Sequence, residues 1–299
     1  MYSWGREGHR IAAAITEADL SPAARDALAE LLGGESLARI STYADEVREN
    51  PDLRCGGPFH YVNIDDGETY WSQRRSSRGD IIAGLVYLED RLRDSAASRR
   101  ERALALRYYV HLLSDLHQPL HVGRSCDRGG VAIRVRYWGK NTSLHSVWDG
   151  RLLYGEKRGY TKVARDLLRS GRAYSRLESA GTYLDWADES MLLRERAYIC
   201  YRCAAARDAD RDAVEFGACS TVEDYDAPVQ RLSREYTDRN LPLVRLQLWR
   251  AGIRTAAMLN QIFSGRPLSL EQRELRRRLG QGGERIYGQC LARDRGFPL

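Results

Sequence analysis

Apolar side chains recur at helical spacing along most of this chain, and the breaks between the runs predict the elements. From His9 to Leu20 the spacing of Ile11, Ala12, Ile15 and Ala18 predicts a first helix. Ser21-Pro22 supplies an N-cap and a first-turn proline for a second, which Gly33-Gly34 ends. Residues 36–50 read as a third helix, stopped by Pro51, with Asp45 and Arg48 one turn apart. Cys55 to Asn63 reads as loop and then a short extended piece, and the polar residues 66–79, with Trp71 among them, as an exposed loop. Helices follow at 80–94 and 98–117, the second carrying Leu104, Tyr108, Leu112 and Leu116 on one face. His117-Gln-Pro119 ends that helix and turns the chain so that His121 points back. Val131, Ile133, Val135 and Tyr137 alternate with period two, which predicts a small β-ribbon near 130–138. Helical spacing returns at 145–149, 160–170, 177–206, 227–235 and 240–264, the last with Ile253, Ala257 and Ile262 on its apolar face. The expectation is an all-α, mainly helical fold: one domain over 1–264 and a basic tail, 265–299, that can form one more helix.

Composition narrows the class. Of 299 residues 43% are hydrophobic and 29% charged, which suits a soluble globular chain. No apolar run approaches the roughly 20 residues of a membrane span. Met1 to His9 has neither a basic nor an apolar leader segment, so no signal peptide is expected in this chain. The net charge of +6 is carried almost wholly by arginine, which fits a polyanionic partner and codon bias equally well. Six cysteines permit about fifteen full pairings. Cys200-x-x-Cys203 with Cys219 lacks an obvious fourth zinc ligand, so disulfides or plain thiols are expected. Asn141-Thr-Ser is a glycosylation sequon, relevant only to a protein secreted by a eukaryote.

The candidate chemistry lies in one stretch, His111-Leu-Leu-Ser-Asp115-Leu-His117-Gln-Pro-Leu-His121, and its echo, His145-Ser-Val-Trp-Asp149. Each contains His-x-x-x-Asp, which puts an imidazole and a carboxylate on one helix face a turn apart. Such a pair can close on one cation, and both donors suit zinc. All six histidines precede residue 146. A metal site is the reading that this clustering favours over a scatter of structural histidines.

In order along the chain stand Trp4-Gly-x-x-Gly-His9, Ala44-Asp45, Phe59-His60-Tyr-Val-Asn63, His111-x-x-x-Asp115, Gln118-Pro-Leu-His121, Gly129-Gly130 and Leu144-His145-x-x-Trp-Asp149. Together with Trp186-Ala-Asp-Glu-Ser190 and Leu241-Pro-Leu-Val they resemble the zinc-dependent type I nucleases (the S-one/P-one family), which include fungal single-strand-specific enzymes and plant bifunctional nucleases. The resemblance runs from Trp4 to about Phe263. It implies a phospholipase C/nuclease-like helical fold with three zinc ions in one cleft. Asp45, His60, His111 and Asp115 would hold the first, and His121, His145 and Asp149 the second. A third would be held by His9, by Asp115 as a bridge, and by the amino group and carbonyl of Trp4.

The activity so implied is hydrolysis of single-stranded DNA and RNA to 5′-phosphate products, with removal of 3′-phosphates from nucleotides. Close cations lower the pKa of a bridging water, and hydroxide so formed is the nucleophile. Asp45 would orient it, and Arg48 would bond charge developing on the phosphoryl oxygens. Tyr61 falls where the family stacks a base, and Asn63 where it often has Asp against the base edge. A monomer in a secreted, extracellular or periplasmic setting is expected. The family's zinc-binding Trp is the first residue of the mature chain, whereas here Met1-Tyr-Ser precedes Trp4, making its nitrogen an amide; a truncated or mis-started precursor is the expectation. A zinc-dependent phospholipase C and a non-catalytic zinc protein are the alternatives. Tyr61 and Gly129-Gly130 argue against the first, and the pairing of Asp45 with Arg48 against the second.

Overall fold

Every residue from Ala103 to Asp115 is buried, which places this helix inside the molecule rather than on it. The computed structural model describes residues 4–155, 158–171, 178–198, 229–280 and 283–294. Around the buried helix, α6 (Arg99–Asp115), run α1 (Arg6–Ala18), α2 (Pro22–Leu32), α3 (Leu37–Ile40), α4 (Tyr43–Arg48) and α5 (Ile81–Arg93) before it in sequence. After it come α7 (Leu144–Asp149), α8 (Tyr160–Gly171), α9 (Tyr183–Ala197), α10 (Arg234–Phe263), α11 (Leu270–Leu279) and α12 (Gln289–Asp294). The mainly helical expectation holds. Among the described residues no helix is long and apolar enough to cross a membrane.

Local chemistry explains most boundaries. Ser21 caps α2 by accepting from Ala24 N, Pro22 occupies its first turn, and Gly33 ends it at φ 61°. Ser98 and Glu101 close a capping box at the start of α6. The helix expected over 36–50 is instead two short ones. At the break Ser41 Oγ donates to the Ala38 carbonyl at 3.0 Å, and Thr42 Oγ1 bonds Glu46 Oε1 at 2.8 Å. These hydroxyls compete with the backbone ladder. The expected loop before His60 is a 3-10 stretch, Pro51–His60. Residues 66–79 are only partly exposed: Tyr70 is buried and Trp71 half-buried.

The ribbon is where alternation predicted it. Strand β3 (Arg134–Tyr137) pairs antiparallel with β4 (Lys140–Ser143), with Val135 and Tyr137 buried. The turn residues Trp138 and Gly139 sit at φ 48° and 77°, as a two-residue hairpin turn requires. Earlier in the chain β1 (Val62–Asn63) pairs parallel with β2 (Val122–Gly123), Val62 opposite Val122. The helix expected at 227–235 is not there: β5 (Gln230–Leu232) runs parallel to β3, with Val135 opposite Gln230. An open strand edge overrode weak helical spacing. Helix α10 then starts at Arg234, earlier than expected, capped by Ser233. Of the helix expected at 177–206, the described residues form α9 only from Tyr183, capped by Thr182 after a turn in which Gly181 sits at φ 112°; Cys200, Cys203 and Cys219 lie outside the described residues.

Two apolar clusters form the interior. One joins α2, α5 and α6 with the chain's end, and the other joins α1, α7, α8 and α10 with β3. The expected basic tail folds back onto the first cluster. Cys290 is disulfide-bonded to Cys55, Asp294 accepts from Tyr43 and Tyr108 hydroxyls at 2.9 and 3.0 Å, and Tyr287 hydroxyl donates to the Asp80 carbonyl at 2.7 Å. Cys126 is also disulfide-bonded.

Helices α1 and α10 cross at Gly252, where a Cβ would collide with Ile15 and come within 2.9 Å of the Ala12 carbonyl. Gly252→Ala is expected to lower unfolding free energy by about 1–3 kcal/mol through overpacking. A urea titration should show a lower midpoint with an unchanged m value.

Candidate metal centre

The last turn of α6 points His111 and Asp115 the same way, and neither has any exposed surface. Three other imidazoles converge on that carboxylate. His60 Nδ1 lies 2.9 Å from Asp115 Oδ2 and His111 Nε2 3.2 Å from the same oxygen. His9 Nε2 lies 3.4 Å from Oδ1 and His121 Nδ1 3.7 Å. Asp45, from α4, comes within 3.8 Å of His111 Nε2. A second focus adjoins the first: His121 Nε2 and His145 Nε2 each stand 3.4 Å from an oxygen of Asp149.

The inward direction of these rings is set from behind. His111, His121 and His145 donate from Nδ1 to the carbonyls of Ser41, His60 and Gly129, at 2.7, 2.8 and 2.6 Å. His9 Nδ1 bonds Ser114 Oγ at 2.6 Å, and that hydroxyl in turn donates to the His111 carbonyl. With one nitrogen so engaged, the other faces the carboxylates, which is how a metal-binding histidine is held. Gln118 orients Asp149, donating to Oδ1 at 2.8 Å while its own oxygen accepts from Leu120 N at 2.6 Å.

Electrostatics agree with a cation-shaped gap. Burial pushes His9 down to about 3 and His60 to about 4, so both rings are neutral, as ligands must be. Burial alone would raise Asp115, but His111, His121 and His9 hold its carboxyl well below the usual range. Asp149 goes the other way: burial lifts it well above its ordinary value despite His145 and Gln118. His121 Nε2 and Asp149 Oδ2 are buried without a hydrogen-bond partner. Orphaned polar atoms that face each other inside a protein call for a group between them. Three sets have donor atoms within 4.8 Å of one another: His9, Asp45 and His111; His60, His111 and Asp115; and His121, His145 and Asp149. Nitrogen and carboxylate donors of this kind suit zinc.

All of the expected ligand positions are thus brought into one region, though the sets overlap at His111. Trp4 is buried beside them: its backbone N–H donates to Asp115 Oδ1 at 3.2 Å and its indole to the Ser114 carbonyl at 2.8 Å. As an amide its nitrogen is a donor here; Met1–Ser3 lie outside the described residues. Arg48 pairs with Asp45 Oδ1 at 2.9 Å. Tyr61 and Asn63 are half-buried on either side of buried Val62, which puts them on one face of the extended segment after His60. His117 is structural, bonded to the Leu113 carbonyl and to Arg254 Nη1 at 2.8 and 3.1 Å. Trp148 packs fully buried, its indole donating to Tyr236.

Sequence does not single out Ser41, Ser114 or Gln118 as supports of the ligands. Gln118 stands in the Gln-Pro-Leu-His121 corner, but its spacing gives it no role, and a backbone carbonyl such as that of Ser41 leaves no mark in sequence. Glycine does leave one. Gly129 sits at φ 63°, and a Cβ there would run into the Leu120 carbonyl; a Cβ on Gly123 would run into the Gly129 backbone.

Residues 4–264 match the S1/P1 nuclease family. The chain is similar to Endonuclease 2 of Arabidopsis thaliana, 28% identical over 88% of this chain and 91% of that protein. Endonuclease 4 of the same plant is 29% identical over 88% and 90%. Nuclease S1 of Aspergillus oryzae is 28% identical over 88% and 93%.

Replacing Gln118 by Ala removes the hydrogen bond that orients Asp149. Metal affinity is expected to fall about 10–100-fold, as for other residues that orient ligands. Competition with a chromophoric chelator measures it.

Proposed function

The chain belongs to the S1/P1 nuclease family, and from that membership we propose that it is a trinuclear-zinc phosphodiesterase, hydrolysing single-stranded DNA and RNA to 5′-phosphate products and removing 3′-phosphates from nucleotides. A metal-dependent nuclease acting on nucleic acid is the coarser statement that the family carries. The observation that supports the finer one is the buried Asp115 carboxylate with four imidazoles around it, beside a second set, His121, His145 and Asp149, in which His121 Nε2 and Asp149 Oδ2 are buried without a hydrogen-bond partner.

The proposed ligands are Asp45, His60, His111 and Asp115 for one ion and His121, His145 and Asp149 for another. His9 and Asp115, with Trp4 if its amine is freed, would hold the third. Such cations supply Lewis-acid charge and an acidified water. The chain's own residues do the rest. Asp45, held by Arg48, directs the water towards phosphorus. Arg48 offers its remaining N–H groups to the phosphoryl oxygens, where negative charge grows in the transition state. Tyr61 stacks the base beside the scissile bond, which needs a base free of its pairing partner. Asn63 reads the base edge with an acceptor and two donors. The Cys55–Cys290 disulfide supports a secreted or periplasmic setting, and we read the protein as a monomer whose nuclease domain spans 1–264.

Incubation with single-stranded DNA before chelation, after it and after zinc return tests this reading. Release of 5′-mononucleotides that stops on chelation and resumes with zinc is expected; zinc-loaded protein that leaves the strand intact would sink it. In Arg48→Ala, kcat should fall about 10²–10³-fold, as when a donor to developing charge is lost. Zinc content should be unchanged by elemental analysis.

A further inference from the structure

Strands β1 and β2 are two residues long each and form a two-stranded sheet. So short a pair closes few ladder bonds of its own, and its buried carbonyls need partners from elsewhere. A guanidinium supplies them. Arg194, in the last turn of α9 and only 1% exposed, donates from Nη1 to the carbonyls of Ile64, Val122 and Gly123 at 2.5, 2.9 and 3.0 Å. Its Nη2 donates to Asp66 Oδ1 at 2.7 Å. The other oxygen of that carboxylate accepts from Arg124 Nε at 2.8 Å, and the Arg124 guanidinium lies over the Tyr198 ring, 4.2 Å from its centroid. The clamp is therefore itself anchored, and Asp66 compensates its buried charge.

What the clamp holds is the backbone next to Asn63. Ile64 follows it, fully buried, with its N–H given to the Gly123 carbonyl at 2.9 Å and its own carbonyl taken by Arg194. Before Asn63, Val62 is buried opposite Val122. Asn63 and Tyr61 thus project from a segment pinned at Ile64. His60 and His121 lie upstream on the same two segments and are held by other means, His60 by Asp115 Oδ2 at 2.9 Å and His121 by the His60 carbonyl at 2.8 Å. Apolar packing would serve stability as well as a buried ion pair does. What the planar guanidinium adds is direction, because its rigid fork fixes three peptide groups relative to one another.

We propose that Arg194 is a positioning residue for the base of the substrate. It holds β1 against β2 so that Asn63 meets the base edge and Tyr61 the base face, while the metal ligands keep the phosphate. The proposal rests on the nuclease reading above, and deepens it. Arg194 acts on how the base is gripped, through Asn63 and Tyr61, and not on the metal centre.

The test compares zinc-loaded wild type with Arg194→Met, Arg194→Lys and Asp66→Asn, on a dinucleotide and on the same dinucleotide with abasic sugars. In Arg194→Met the KM for the dinucleotide is expected to rise about tenfold, within the range that a base contact contributes. Its kcat/KM on the abasic analogue and its zinc content should match wild type. Lysine keeps three donors for the carbonyls, so Arg194→Lys should recover part of the dinucleotide KM. Amide hydrogen exchange should quicken over 61–66 in Arg194→Met and stay unchanged over 111–115. Should Arg194→Met fail to fold, Asp66→Asn, which spares the carbonyl bonds and weakens the anchor, is expected to move the same two readouts in the same direction. Equal losses on the dinucleotide and the abasic analogue, or unchanged exchange over 61–66 in a folded variant, would overturn the proposal. So would a wild type that does not prefer the dinucleotide. A wild type that cleaves neither substrate overturns the nuclease reading, and this proposal with it; the wild-type arm tells the two failures apart.

Discussion

A carboxylate with no exposed surface sits at the end of a helix that is buried from Ala103 onward, and the rest of the structure answers to that. A buried charge is costly unless it is paired, and Asp115 is surrounded by His9, His60, His111 and His121, drawn from four separate stretches of chain. Each stretch has to arrive at one place, so α1, the 3-10 turn before His60, α6 and the Pro119 turn are fixed relative to one another by a single requirement. The supports behind the rings make the requirement directional. The carbonyls of Ser41, His60 and Gly129 take one nitrogen of their partners, so the other can only face inward.

Part of the His/Asp cluster was legible in sequence because two of its pairs are local. His111 with Asp115, and His145 with Asp149, announce themselves by a four-residue spacing, and the helical runs by their apolar period. What was not legible depends on partners distant in sequence. Nothing near Cys55 selects Cys290 from the other cysteines; the pair is brought together only when the final helices fold back. Nothing in 227–235 signals a strand until the edge of β3 is available to receive it. The break at Ser41-Thr42 reads as an ordinary helix interior, yet it is the distortion that turns the Ser41 carbonyl towards His111. Functional geometry here overrides local preference, and that is where sequence reasoning departs from the structure.

The end of the chain has more than a covering role. Tyr287, Cys290 and Asp294 reach the backbone of Asp80, the stretch that leads to His60, and the tyrosines of α4 and α6. Through Tyr43 and the Cys55 segment these contacts back the elements that present Asp45 and His60. A segment that sequence reads as a basic tail is thereby part of the wall on which the elements carrying Asp45 and His60 rest.

The glycines at 123 and 129 carry a genetic consequence. Each is hemmed in by main chain, Gly123 by Gly129 and Gly129 by the Leu120 carbonyl. When a larger residue collides with a side chain, a second change can trim that side chain and restore the fit. Here no side chain is in the way, so no compensating substitution can make room. Loss-of-function changes at either position should have no intragenic point-mutant suppressors among their contacts, and reversion to glycine is the route back.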